Sequence, residues 1–158
     1  MKHFVLTALI LITSACGWQL RGIVVLPPSV QVMTLESQAS NRFNQRLRQQ
    51  LEFNGVTFPT DASATVRLQI EPIKIERLVL SVSSVGQAAE FELNATLNAR
   101  LIDLENEKDV SWEITGRRTF NNDVNSVIGT ENEEKVQRQE LENDLIRKLM
   151  IRLQKVDL

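Results

Sequence analysis

Between Phe91 and Leu101 apolar and polar side chains alternate without a break. Phe91, Leu93, Ala95, Leu97, Ala99 and Leu101 interleave with Glu92, Asn94, Thr96, Asn98 and Arg100. A period of two puts the first set on one face of a β-strand and the second on the other. The segment therefore predicts the half-buried centre of a sheet, with one face packed and one left to water or a partner. Val66, Leu68 and Ile70 alternate in the same way with Arg67, Gln69 and Glu71, but after Pro72 the parity flips and Ile73 and Ile75 carry the apolar side chains. Proline has no N–H for the ladder, and a change of parity needs an extra residue. A bulge or an edge position near Pro72 is expected, with the strand resuming to about Ser81. Ser83-Ser84-Val85-Gly86 reads as the following turn. Val30 to Leu35 gives a short first strand, and Val110, Trp112 and Ile114 open a last one that runs to about Phe120.

Two segments carry a helical period instead. From Asn41, the residues Phe43, Leu47 and Leu51 recur at four-residue steps, with Gly55 just past the end as a C-cap. After a polar stretch from Asn121 to Gly129, Leu141, Leu145, Leu149 and Leu153 form the stripe of a long final helix, broadened by Ile146 and Met150. Thr130 and Glu133 have the spacing of a capping box at its start, and Glu131, Glu133 and Glu134 against Arg147, Lys148, Arg152 and Lys155 suit the macrodipole. The order strand-helix-strand-strand-strand-helix predicts an α+β two-layer sandwich: a four-stranded sheet with two helices packed on one face.

Little chemistry is available to such a domain. The single histidine, His3, lies in the N-terminal apolar segment, and Cys16 is the single cysteine. A Ser-His-Asp or Cys-His arrangement cannot be assembled from the rest of the chain. Glu90 and Glu92 share a strand face, and Glu113 is expected to oppose them across the ladder. Solvated strand carboxylates are the simpler reading, and a paired-carboxylate hydrolase site is the alternative. Arg117 and Arg118 are adjacent, so only one can join the polar face. That face, with Asn94, Thr96, Asn98, Ser111, Thr115 and Thr119, is neutral and rich in hydrogen-bonding groups, which suits a wet interface. Aromatic residues make up 5% of the chain and tyrosine is absent, so a stacking groove for bases or sugars has few residues to build it.

The N-terminus is organised as an address. Lys2 precedes an apolar run from Phe4 to Ala15, too short to span a bilayer as a helix, and the small residues Thr13, Ser14 and Ala15 lead to Cys16. This is the layout of a signal peptide over residues 1–15. Ile12-Thr13-Ser14-Ala15-Cys16 resembles a bacterial lipobox, which implies cleavage before Cys16 and attachment of N-acyl and S-diacylglycerol groups to it. Gly17 follows rather than an aspartate, so the outer membrane is the expected destination. Residues 16–28, ending in Pro27-Pro28, read as a tether, and 29–158 as one domain.

Cys16-Gly17-Trp18-Gln19-Leu20-Arg21-Gly22 resembles the mature start of the lipopolysaccharide-assembly lipoprotein LptE family. Leu51-Glu52-Phe53-Asn54-Gly55-Val56, Gly86-Gln87-Ala88-Ala89-Glu90-Phe91, Arg118-Thr119-Phe120 and Leu145-Ile146-Arg147-Lys148-Leu149 are similar to that family in the same order. The resemblance implies a two-layer α/β domain lodged in the LptD β-barrel of the outer membrane. There it would act as plug and assembly chaperone while lipopolysaccharide passes to the outer leaflet. It implies no enzymatic activity and no cofactor beyond the lipid on Cys16. Family members can carry basic residues at the tip between the second and third strands, where this chain has Ser83-Ser84-Val85. Contacts to lipopolysaccharide or barrel would then fall to Lys74, Arg77 and Arg117, together with Asn94, Thr96 and Asn98 on the polar face. A lipid-binding or shuttling lipoprotein without a barrel partner is the alternative expectation.

Overall fold

The computed structural model describes residues 25–60, 63–123 and 126–158. The segment expected to be a signal peptide, Cys16 and the Cys16–Gly22 motif lie outside the described residues. Within them the architecture is α+β, with one mixed sheet and two helices. The strands are β1 (Met33–Ser37), β2 (Val66–Ile70), β3 (Lys74–Val82), β4 (Ala88–Asp103) and β5 (Asp109–Asn121), and the helices are α1 (Asn41–Phe53) and α2 (Val127–Gln154).

Five strands stand where four were expected, because Pro72 divides the second one in two. β2 and β3 follow one another along the same side of β4. β2 pairs with its last residues, Ile70 opposite Ala99, and β3 with its first, Lys74 opposite Thr96. Three residues, Glu71 to Ile73, thus stand against two on β4. This is the extra residue that the parity flip required, and it occurs where the proline ring removes a donor. The first strand also begins later than expected, at Met33, because Pro28–Val30 forms a 3-10 turn. Leu26, on the stretch expected to be tether, is already buried in the core.

β4 is the spine of the molecule. Its 16 residues span about 50 Å at the usual strand rise. β5 pairs antiparallel with it through thirteen consecutive positions, from Glu90 opposite Asn121 to Ile102 opposite Asp109. The turn between them is held by Asp103, whose Oδ1 accepts from the N–H groups of Glu105 (2.8 Å) and Asn106 (3.0 Å), and whose Oδ2 accepts from Asn106 Nδ2 (2.8 Å). These bonds, the Asn106 side chain first, hold the Asp103 carboxyl below the usual carboxylate range. β1 adds to β2 in parallel, Met33 opposite Val66. The chain therefore enters the domain at the Asp103 end of β4, and the β3–β4 hairpin lies at the other.

Both helices cover one face. Leu93, Leu97 and Leu101 of β4 meet Phe43, Leu47 and Leu51 of α1 and Leu141, Leu145, Leu149 and Leu153 of α2, all fully buried in one hydrophobic cluster. The even positions of β4 face away from it. α1 starts as its sequence suggests: Ser40 is its N-cap and Ser40 Oγ accepts from the Phe43 N–H at 3.2 Å. Gly55, just past its end, has φ +88°, the left-handed conformation that a glycine allows. α2 starts differently. It begins at Val127, three residues before Thr130, so the capping box does not form. Thr130 Oγ1 instead accepts from the Asp123 N–H at 3.0 Å, and the first turn has no acidic residue.

Candidate functional site

The face of the sheet opposite the helices is the candidate interaction surface. Alternation on β4 and β5 brings Asn94, Thr96 and Asn98 beside Arg117, Thr115 and Glu113 respectively, each pair directly opposite in the ladder. The three β4 side chains are half-buried between neighbouring strands, while Ser111, Glu113, Thr115, Arg117 and Thr119 are exposed. Lys74 pairs with Thr96 on β4's other side, so it belongs to the same face.

Charges on this surface are largely matched. Arg117 Nε lies 3.4 Å from Glu92 Oε2, and Asn94 Nδ2 donates to Glu92 Oε1 at 2.8 Å. Arg100 Nε donates to Asp109 Oδ2 at 2.8 Å and Asn98 Nδ2 to Glu71 Oε2 at 2.9 Å, while Arg67 Nε lies 3.1 Å from Glu36 Oε1 as an ion pair. Exposed pairs of this kind add little stability, about 0–1 kcal/mol each, but they leave a surface of low net charge studded with donors and acceptors. Over the junction where β2 gives way to β3, Gln69, Glu71, Asn98, Arg100, Ser111 and Glu113 wall an open depression of about 450 Å³. Its walls are polar, and its floor is strand backbone at Ala99 and Trp112. Trp112 itself packs against the core, as its parity with Ile114 predicts.

Arg77 lies apart from the other candidate contacts. In register with Leu93, it lies on the helix side, where its Nη1 donates to Glu134 Oε2 of α2 at 2.9 Å and its guanidinium sits 4.7 Å from the centre of the Phe91 ring. Burial raises the Glu134 carboxyl, but hydrogen bonds from Arg138 and Arg77 outweigh it and leave the group below its ordinary value. Arg77 is thus a tie between β3 and α2. Arg118, also on the helix side, leaves Arg117 to the open face.

The expected opposition of Glu113 to Glu90 and Glu92 is not found. Glu113 faces Asn98, whereas Glu92 faces Thr119, six positions or about 20 Å farther along β4. Glu90 accepts instead from Ser81 Oγ at 2.7 Å. No carboxylate pair across the ladder is assembled from these three residues. Among the described residues there is also no cluster of three metal-ligating side chains, and no helix long and apolar enough to cross a membrane.

Two features escaped the sequence reading. Asp144 of α2 is buried beside Gly116 of β5. Lys148 Nζ reaches Asp144 Oδ2 at 2.8 Å and also donates to the Thr115 carbonyl at 2.8 Å, and Arg147 pairs with Asp144 Oδ1. A charged residue inside a helix gives no hint of burial unless its neighbour across the interface is known to be glycine. The other feature is the exposure of Leu78, Val79 and Leu80 on β3. Three apolar residues in a row break alternation, and that was a readable sign that neither face of the strand end is packed.

Comparison with known proteins places this architecture. The LPS-assembly lipoprotein LptE of Photorhabdus laumondii is 33% identical over 108 residues, which is 65% of this chain and 59% of that relative, less than two thirds of its length. The protein of the same name from Pectobacterium atrosepticum is 27% identical over 164 residues, covering 95% of this chain and 87% of that one. Among solved structures, rare lipoprotein B of Shewanella oneidensis superposes with a TM-score of 0.67 at 20% identity, over 77% of this chain and 91% of that one. An uncharacterised lipoprotein B of Nitrosomonas europaea gives 0.67 at 22% identity, over 85% and 88%. At these identities the two structures speak for the fold alone. The profile of the family LptE, Lipopolysaccharide-assembly, matches residues 27–153, nearly the whole described domain, and the chain belongs to that family.

Proposed function

We propose that this protein is an outer-membrane lipoprotein, anchored through lipid on Cys16, whose domain seats its open sheet face against the hydrated inner wall of an LptD-type β-barrel. It would serve there as plug and assembly aid in the delivery of lipopolysaccharide to the outer leaflet, as a structural subunit and not an enzyme. The observation that carries the reading is the β4–β5 face itself. Thr96 opposite Thr115, Asn98 opposite Glu113 and Asn94 opposite Arg117, the last paired with Glu92, form a strip dominated by neutral hydrogen-bonding groups. The interior of a large barrel is polar and wet, so such a strip can exchange water-mediated hydrogen bonds with it. Lys74 and Arg117, two of the basic residues on this face, are the candidate contacts to lipopolysaccharide phosphates, with Asn94, Thr96 and Asn98 as contacts to the wall.

A lipid carrier without a barrel partner would instead need an apolar cavity. The 450 Å³ depression is polar-walled and open, and the interior between sheet and helices is filled by leucines. The deciding experiment is affinity purification of the tagged full chain from detergent-solubilised outer membranes. A large β-barrel recovered in stoichiometric amount supports the reading. Recovery of the lipoprotein alone, as a monomer, sinks it.

A further inference from the structure

Among the described residues, β3 is an edge of the sheet that nothing covers. It pairs with β4 on one side and with no described strand on the other. Its exposure is the same from both layers: Val79, on the helix side opposite Phe91, is 55% exposed, and Leu78, on the open side, is 49%. Leu80 and Val82 are exposed as well. From Leu78 to Ala89 the chain has no charged residue, and Arg77 just before is turned toward Glu134. Edge strands are ordinarily kept from pairing by short length, proline, charge or a covering element. β3 has nine residues and a register irregularity around Leu80; its charged residues, Lys74, Glu76 and Arg77, stand at one end, and from Leu78 to Val82 it carries none.

The sheet is also one strand narrower here. The Ala99–Asp103 part of β4 carries β2 and then β1 beyond it, whereas the Ala88–Thr96 part carries β3 alone. We propose that the outer edge of β3 receives an extended, uncharged polypeptide segment of a partner by strand addition, lying end to end with β1. Every second residue of β3 turns its N–H and C=O outward. Only another backbone, with the same groups at the same spacing, satisfies both. An acyl chain would meet the valines and leucines but leave that ladder unpaired. A charged segment would set its charges against apolar side chains on both faces between Leu78 and Val82. Lys74 and Glu76, both on the open face, stand at the other end of β3, so the uncharged segment is placed on the Leu78 to Val82 part of the edge. This surface is separate from the β4–β5 face, and the proposal stands independently of the barrel reading.

Amide hydrogen exchange of the full chain tests it, with a short capped peptide of alternating threonine and valine as probe. Controls are the fully N-methylated peptide, which cannot donate backbone hydrogen bonds, and vesicles of phosphatidylethanolamine and phosphatidylglycerol. Strand addition slows exchange of alternate β3 amides by more than about tenfold with the unmodified peptide alone. Leu80→Lys, a change at an exposed side chain, abolishes that slowing while the amides of β5 exchange as before. Absence of slowing overturns the proposal. So does equal slowing by the N-methylated peptide, which would mean apolar contact only, or slowing by vesicles, which would mean a lipid surface.

Discussion

Leu141 of α2 packs directly onto Gly116 of β5, so closely that a β-carbon on the glycine would stand 2.8 Å from Leu141 Cδ1. Opposite Gly116 in the ladder is Ala95, and the two small residues make the saddle in which the helix rests. Leu141 is fully buried, so its methyl has little room to yield. Gly116→Ala is expected to cost about 1–3 kcal/mol, the usual range for overpacking, and to lower the melting temperature by several degrees. Adding Leu141→Ala should recover part of the loss, a non-additivity that thermal melts of the two single variants and the double variant would reveal.

Acid should weaken the same junction. Burial pushes the Asp144 carboxyl upward, but hydrogen bonds from Lys148 and Arg147 outweigh it and hold the group below the ordinary value. A carboxyl depressed in the folded state adds stability above its unfolded pKa, about 3.9, and loses that contribution as pH falls through the lower folded value. Asp144→Asn is therefore expected to be less stable than the native chain by a constant margin at pH 6 to 8. The gap should shrink below about pH 4. Urea melts across that range measure it, and a gap that widens in acid would refute the assignment.

The two helix starts separate by mutation. Ser40→Ala removes a side-chain cap from α1 and should cost about 1 kcal/mol. Glu133→Ala should cost less than about 0.5 kcal/mol, since Glu133 bonds Gln137 on the surface of an established helix and caps nothing. Equal losses in denaturant titrations would restore the capping box.

Placing a bulky group on the open face separates folding from assembly. Thr96 lies midway along β4 among half-buried polar neighbours, and Thr96→Trp should leave the melting temperature within a few degrees of native. Barrel recovered with the tagged protein from outer membranes should fall by more than about tenfold, the loss expected when a central contact no longer fits. Unchanged recovery would move the interface to another face.

Cys16→Ser removes the thiol that the lipid would occupy. Labelling with radioactive palmitate should disappear, and the protein should leave the membrane fraction, since a protein lacking acyl chains has lost its hydrophobic anchor. Persistent labelling would place the lipid elsewhere.

The alternation of Phe91 to Leu101 and the leucine stripe of α2 were legible because each follows a single period imposed by burial on one side. Even the break at Pro72 was readable, as a parity change that backbone geometry permits in few ways, although it appeared to need one strand and took two. The start of α2 was misplaced because Thr130 and Glu133 satisfy a local rule, while Thr130 is claimed by Asp123 from outside the helix. Arg77 was named as a candidate contact, but its parity with Ile73 and Ile75 after Pro72 already places it on the helix side, and only the structure shows Glu134 waiting there. On the polar face the residues were legible but their cross-strand partners were not, so Glu113 was set against the wrong carboxylates.

The length of β4 makes the domain a ruler. The chain arrives beside Asp103, the uncharged hairpin sits beyond Ala88, and a continuous antiparallel ladder with β5 stiffens nearly all of the interval. Whatever meets the hairpin is therefore held about 50 Å from the point of arrival, a distance fixed by strand rise rather than by a flexible linker. Shortening β4 and β5 by a matched pair of residues would keep the face pattern and draw the two ends together by about 7 Å. The reach of this protein is thus a quantity that can be dialled in steps of two residues.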